Sequence, residues 1–177
     1  MGKQKLILLL INVLGGAAVI GSYVLGLRGG SSAAVLWGGV PESIRPVYTV
    51  SMVICALGYF AFLYFLLVKT VPGNVVISGR FGYGLFHWIF LLILVPSAFW
   101  MPLTNLYVGD PHTGTWIAVR VVLVIVGLAS IALAWALLTL QPNNRGPAYW
   151  SAVAGSCYFA FHTAILDAII WAALFRT

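Results

Sequence analysis

Charged residues are scarce in this chain. Lysine, arginine, aspartate and glutamate together make up 7% of its 177 residues, and three of these residues are acidic. Because a soluble domain carries roughly 25% charged residues, this chain has too little polar surface to fold alone in water. The composition therefore excludes an ordinary soluble domain.

The sequence also lacks the common patterns for disulfides, metals and catalysis. Cys55 and Cys157 fall in different apolar segments without CxxC spacing, which favours a packing role for each. Glu42 is the only glutamate, and no paired carboxylates, GxSxG motif or HExxH motif occur. The nine basic residues are scattered rather than clustered, so nothing supports nucleic-acid binding. We expect neither a catalytic site of these types nor a metal site.

Long apolar runs dominate what is present. The chain is 62% hydrophobic, with a mean hydropathy of +1.05. Runs of about 20 apolar residues are typical of transmembrane helices. The first run is too long for a signal peptide, which indicates an uncleaved helix. The sequence predicts an all-α, polytopic integral membrane protein in which residues 1–177 form a single transmembrane domain. Its five-helix bundle has helices at about 5–27, 47–69, 83–107, 115–140 and 149–175.

The distribution of basic residues predicts the orientation in the membrane. Cytoplasmic loops carry an excess of lysine and arginine. With the N-terminus inside, the inner side collects five basic residues and the outer side three, with one more inside a helix. The sequence therefore favours a cytoplasmic N-terminus. The inner residues are Lys3, Lys5, Lys69, Arg80 and Arg145, and the outer residues are Arg28, Arg45 and Arg176.

The longest connection is the first loop, from Arg28 to Pro46. It begins with glycine and serine at residues 29–32 and then becomes apolar through Trp37. This order is compatible with a hinge followed by a short segment that folds over the helix ends. It is equally compatible with an irregular loop that places Trp37 at the lipid headgroups.

Two ionisable residues interrupt the apolar runs. An ionisable group in a membrane helix usually faces the bundle interior and marks a functional site. At 1.5 Å per residue, Arg120 lies roughly 8 Å and Asp167 about 11 Å below the outer ends of their helices. The matching depths predict that these two residues pair. Such a pair could fix the register of the helices, or it could form the wall of a ligand pocket or proton path.

Other polar and aromatic residues lie at a similar depth, beneath the first loop. We expect aromatic walls from Tyr48 and Trp100, with Arg120 and Asp167 orienting the polar end of a ligand. The predicted ligand-binding residues are Arg45, Tyr48, Ser51, Ser97, Trp100, Asn105, Arg120, His162, Thr163 and Asp167.

The histidines raise the question of haem. On an α-helix, His162 and Asp167 are about 140° apart, so we expect them to be poor direct partners. His87 and His162 lie on two helices that run in the same direction, at depths that differ by roughly 12 Å. One haem iron would not easily bridge that offset, so haem is not the expected cofactor. His87 is instead assigned to the membrane interface, as are Trp116 and Trp171.

The layout resembles the TspO/MBR family, the tryptophan-rich sensory proteins or translocator proteins. Residues 97–102, Ser-Ala-Phe-Trp-Met-Pro, resemble the family's Asn-x-x-Trp segment, with Ser97 in place of asparagine. Leu166 and Asp167 resemble its Leu-Asn pattern. Pro41, Pro46 and Gly58 match its proline and Met-Gly positions, whereas Val47 and Ser51 replace its tryptophans. The resemblance implies five helices, a first loop folded over the pocket, and a porphyrin or sterol ligand.

Three functions fit these observations. The first is a sensor or carrier for a small, largely apolar ligand such as a lipid, isoprenoid or tetrapyrrole. The second is a small transporter in which Asp167 takes up and releases a proton. The third is an accessory subunit, docked through small residues onto a larger membrane complex. A homo-oligomer is a further possibility.

Overall fold

The computed structural model describes residues 2–28, 33–142 and 145–175. The glycine-serine segment 29–32 and Arg176 lie outside these ranges. Five of the described helices are long and apolar enough to cross a membrane, which confirms the predicted all-α bundle of a multi-pass membrane protein. Helices 1 to 5 are Lys3–Arg28, Glu42–Lys69, Gly84–Gly109, Thr113–Leu138 and Pro147–Leu174.

The helices pack in a different order from their order in the chain. Helix 1 packs against helix 3, helix 3 against helix 4, helix 4 against helix 5, and helix 5 against helix 2. Because consecutive helices alternate in direction, the bundle has two ends. We call the end where helix 1 begins the N-terminal end. We call the opposite end, which carries residues 33–44, the first-loop end.

Aromatic rings fill the half of the bundle toward the N-terminal end. Tyr59 packs against Phe62, Phe90 and Phe159 with ring centroids 5.1, 5.9 and 5.9 Å away. Its hydroxyl donates a hydrogen bond to Oδ1 of Asn12, which joins helix 2 to helix 1. Two short antiparallel strands, β1 (Val76–Ile77) and β2 (Leu140–Gln141), join the loops at this end.

Glycines allow helix 5 to approach its neighbours closely. A Cβ atom added to Gly58 on helix 2 would lie 2.9 Å from the Cα atom of Gly155 on helix 5. A Cβ atom on Gly127 of helix 4 would lie 3.0 Å from the Cα atom of Ala164. In lipid, where helix association depends on close packing, small residues at such crossings set the helix positions.

The first loop folds back over the helix ends. Ala33–Trp37 is a short helix, and the indole N–H of Trp171 donates to the carbonyl of Leu36 at 3.1 Å. Gly38 has a positive φ of 51° and lies against the ring of Phe175, where a side chain would collide. Val40 is buried in the same core. Of the two interpretations of this loop, the structure supports the folded segment over the irregular loop.

Candidate functional site

The second half of helix 5 is wound as a π-helix from Phe161 to Trp171. Its hydrogen bonds join residues five apart, as in the bond from the N–H of Ala172 to the carbonyl of Asp167. Residues five apart therefore come close to the same face. Nε2 of His162 lies 3.6 Å from Oδ2 of Asp167. The prediction that these two residues are poor partners is wrong, because it assumed α-helical geometry.

A line of four side chains runs through the interface between helices 2 and 5. The hydroxyl of Tyr158 donates to Oγ of Ser51 at 2.9 Å, and Oγ of Ser51 lies 2.8 Å from Nδ1 of His162. His162 then faces Asp167. We call Tyr158, Ser51, His162 and Asp167 the polar chain. The Ser51 oxygen accepts from Tyr158, so its own hydrogen is available to Nδ1 of His162. When Ser51 donates in this way, the imidazole proton lies on Nε2, toward Asp167.

The glycine crossing explains why the polar chain assembles. Ser51 lies seven residues before Gly58, and His162 lies seven residues after Gly155. Because helices 2 and 5 run in opposite directions, both side chains lie about two turns from the crossing on the same side. Both are almost completely buried, with Ser51 2% and His162 5% exposed.

Asp167 is less enclosed than Ser51 and His162. Its side chain is 29% exposed, and it lies within electrostatic range of Tyr23 on helix 1 and of Tyr48 and Cys55 on helix 2. In the described part of the chain, helices 1 and 2 meet near the N-terminal end and make little contact elsewhere. The carboxyl group therefore lies where helices 1 and 2 diverge.

Aromatic side chains surround the first-loop side of Asp167. Trp171, one turn further along helix 5, packs edge-on against Trp100 of helix 3 at 5.4 Å. Trp100 is stacked with Tyr23 at 5.5 Å. On its other side, Trp171 contacts Phe175 at 4.5 Å and Trp116 at 6.2 Å. We call Tyr23, Trp100, Trp116, Trp171 and Phe175 the aromatic cluster.

Two buried polar atoms near this cluster have no hydrogen-bond partner among the described residues. They are Nε1 of Trp100 and Oδ1 of Asn105. The amide nitrogen of Asn105 does have a partner, the carbonyl of Gly26 at 3.1 Å. Since a buried donor or acceptor without a partner costs about 1–3 kcal/mol, these atoms are rare in an ordinary core and indicate a place for a polar partner.

Arg120 does not belong to this assembly. It is exposed on helix 4, and Asp167 faces His162 rather than an arginine. The predicted Arg120–Asp167 pair is therefore wrong. Arg120 shares a helical stripe with Gly127, which is buried because helix 4 crosses helix 5 there, against Ala164. Arg120 lies two turns closer to the first-loop end than Gly127, and at that level helices 4 and 5 no longer touch along this stripe. The long arginine side chain can extend toward the membrane surface from there.

Of the other predicted site residues, some lie near Asp167 and others form hydrogen bonds only with nearby residues of the chain. The hydroxyl of Tyr48 donates to the carbonyl of Leu166 at 3.0 Å, beside Asp167. Ser97 and Thr163 donate to carbonyls of their own helices, at Ile93 and Phe159. Nε of Arg45 donates to the Val40 carbonyl, and Nη1 of Arg45 lies 3.5 Å from Glu42. The structure thus brings together Tyr48, Ser51, Trp100, His162 and Asp167.

Five residues of the candidate site were missing from the prediction, namely Tyr23, Trp116, Tyr158, Trp171 and Phe175. Tyr158 lies on the same face as His162, a relation visible in the sequence. Tyr23 shares roughly one stripe of helix 1 with the small residues Gly15, Gly16 and Gly26. Trp171 was assigned to the membrane interface, yet it is 5% exposed, because the first loop covers it and Leu36 accepts its N–H.

The cavities of the molecule, and the side chains elsewhere that could bind a metal or haem, lie away from the polar chain. A cavity of about 490 Å³ at the N-terminal end is lined by residues that include Lys69, Asn74 and Tyr149. A groove of about 330 Å³ between helices 1 and 3 is lined by aliphatic residues. His87 bonds the carbonyl of Gln4. No group of three or more histidine, cysteine or acidic side chains that could hold a metal occurs within the described ranges.

Comparison with known proteins leaves the family of this chain open. No protein-family model matches the sequence, and the comparisons with curated proteins and with solved structures gave no significant match. Membership of the TspO/MBR family therefore stays a prediction.

Proposed function

We propose that this protein binds a small, largely apolar molecule within the bilayer and acts as its sensor or carrier. The polar end of the ligand lies at Asp167, and the aromatic cluster contacts the apolar part. The observation that carries the proposal is the position of Asp167, a partly exposed carboxyl group in a membrane-spanning helix, with Nε2 of a buried histidine 3.6 Å from its Oδ2 atom. Ionisable groups in such positions are expensive and are retained at functional sites.

The arrangement suits binding better than hydrolysis. Ser51, His162 and Asp167 resemble a nucleophile, base and orienting acid. However, Oγ of Ser51 is buried and already accepts a hydrogen bond from Tyr158. The side chain of Asp167 is more exposed than that of His162. A ligand that reaches the polar chain would therefore meet the carboxyl group first.

Native mass spectrometry of the protein in mild detergent tests the binding function. The wild-type protein is expected to retain a small-molecule adduct, and Asp167→Asn is expected to lose it. Asp110→Asn is the matched control, since it removes an exposed carboxyl group at the end of helix 3. A wild-type spectrum without any adduct, or an adduct that persists in Asp167→Asn, contradicts the proposal. The same spectra give the stoichiometry and so test the prediction of a homo-oligomer or a larger complex.

A proton-coupled transporter is the second candidate, favoured by the continuity of the polar chain. Tyr158, Ser51 and His162 are each able to donate and accept a proton, and they end at Asp167. In liposomes loaded with a pH indicator, such a protein should carry protons when the host's lipid extract supplies the substrate. Ser51→Ala should abolish this flux, and Ser97→Ala should preserve it. Equal flux through both variants would exclude the relay.

We also propose that the N-terminus is cytoplasmic. Lys3 and Lys5 begin helix 1, and Lys69, Arg80 and Arg145 follow at the same end of the bundle. This end therefore carries more positive charge than the first-loop end, as the positive-inside rule requires of the cytoplasmic side.

A further inference from the structure

The chemistry around Asp167 favours one sign of ligand charge. A carboxylate attracts cations, and so do the faces of tryptophan and tyrosine rings. Here Tyr48 bonds the carbonyl of Leu166, the residue before Asp167, and Trp171 lies one turn after Asp167 in contact with Trp100. We infer that the ligand is a lipophilic cation, such as a hydrophobic amine or a quaternary ammonium compound. This inference rests on the proposed function and adds the charge of the ligand to it.

The charges on neighbouring residues support the same sign. In the described residues, Arg120 points away from the bundle interior, and Arg45 is held by Val40 and Glu42. His162 is the basic group that faces Asp167. The pair of His162 and Asp167 is positive only when both groups are protonated. An anionic ligand, such as a tetrapyrrole with free carboxylates, would therefore meet no fixed positive charge beside Asp167 among the residues that the structure describes.

The aromatic cluster has the properties of a binding surface. Tyr23 is 40% exposed, so one face of the cluster opens beside helix 1. The buried N–H of Trp100 is still without a partner, which is rare in a closed core.

The path to Asp167 suits a molecule dissolved in the bilayer. Helices 1 and 2 make little contact on this side of the Tyr59–Asn12 bond, in the part of the chain that the structure describes. A hydrophobic cation reaching the gap from the membrane would pass Tyr23 and meet the carboxyl group. The apolar body of the cation would remain against aromatic and aliphatic side chains.

Two hydrophobic ions of nearly equal size test the inference. Binding of tetraphenylphosphonium and tetraphenylborate is measured with the protein in nanodiscs of zwitterionic lipid, and empty nanodiscs give the background. The wild-type protein should bind the phosphonium above background and the borate at background. Asp167→Asn should weaken phosphonium binding by about tenfold or more, as expected for the loss of one charge interaction. Asp110→Asn should leave it unchanged.

Further variants keep the test informative if Asp167→Asn fails to fold. Asp167→Glu retains the charge and should keep the preference for the cation. Trp100→Leu removes an aromatic face without touching a charge, and it should also weaken phosphonium binding. Equal binding of the two ions, or phosphonium binding that survives both Asp167→Asn and Trp100→Leu, overturns the inference.

A neutral probe separates this inference from the proposed function. Triphenylmethanol has a similar apolar body and a hydroxyl group in place of the charge. If it binds in an Asp167-dependent manner while tetraphenylphosphonium does not, the proposed function stands and the inferred charge is wrong. If neither probe binds and the purified protein carries no adduct, the proposed function itself fails.

Discussion

At the residue scale, Ser51 holds the polar chain together. Its hydroxyl accepts from Tyr158 and bonds His162, so one small side chain satisfies groups at two positions of helix 5. The sequence predicted a site that contains Ser51, His162 and Asp167, since polar side chains at matching depths in apolar helices tend to meet, and the three residues do lie close together. The direct contact between His162 and Asp167 could not be predicted from the sequence, because no residue in helix 5 indicates that this segment forms a π-helix rather than an α-helix.

Replacing Ser51 should destabilise the protein. In Ser51→Ala the buried imidazole loses a hydrogen-bond partner, and the hydroxyl of Tyr158 loses its acceptor. The expected loss in the free energy of unfolding is about 1–3 kcal/mol, seen as a lower thermal midpoint in detergent. Ser97→Ala is the control, because Ser97 bonds only the Ile93 carbonyl of its own helix among the described contacts. Equal midpoints for the two variants would show that the polar chain contributes little to stability.

The inferred cation should compete with protons at Asp167. The titratable groups that interact with this carboxyl group are His162, 3.6 Å away on its own helix, and, through their charges, Tyr23 on helix 1 and Tyr48 and Cys55 on helix 2. Because a cation favours the ionised carboxylate, the affinity for tetraphenylphosphonium should rise with pH, and binding should release protons into weakly buffered solution. Asp167→Asn should show weaker, pH-independent binding. Proton release that persists in this variant would assign the titration to another group.

At the element scale, the crossing of helices 2 and 5 sets the register of the site. Gly58 and Gly155 bring the two backbones into contact, which brings Ser51 opposite His162. The sequence predicted the five helices because long apolar runs are a strong signal. It did not predict the crossing partners, because small residues occur on several stripes and each stripe fits more than one neighbour.

A methyl group at the crossing should separate these helices. In Gly58→Ala the added Cβ atom would lie 2.9 Å from backbone atoms of Gly155, which cannot move aside as a side chain does. We expect destabilisation of about 1–3 kcal/mol. Gly16→Ala is the matched control, because nothing lies within 4 Å of a Cβ atom added there. The measurement is thermal unfolding of both variants in the same detergent. A Gly58→Ala protein as stable as Gly16→Ala would mean that the helices separate at no cost.

At the scale of the whole molecule, the first loop covers one end of the bundle, and helices 1 and 2 separate along one side. The first loop covers the first-loop end through Leu36 and Val40, while helices 1 and 2 diverge beside Asp167. The sequence predicted the number of helices, and it left the fold of the loop undecided, since its apolar stretch suits an interface as well as a core. Contact with Trp171 on helix 5 and with Phe175, directly after that helix, resolved this choice.

The orientation can be checked in intact cells. Single cysteines are placed at Lys5, at the N-terminal end, and at Asp110, at the first-loop end, after Cys55 and Cys157 are replaced by alanine. A membrane-impermeant maleimide should label Asp110→Cys and spare Lys5→Cys until the cells are opened. The reverse pattern would place the N-terminus outside.

The separation of helices 1 and 2 determines the units in which the affinity of this protein for a ligand should be given. A molecule that arrives sideways through this gap is drawn from the surrounding leaflet, where an oily compound is far more concentrated than in the buffer. The occupancy of the site then depends on the number of ligand molecules per lipid molecule. Adding more vesicles at constant total ligand lowers this ratio, so the ligand dissociates from the protein. Apparent dissociation constants written as total ligand concentrations would shift with the amount of lipid in the assay, whereas constants written as mole fractions in the bilayer would stay the same.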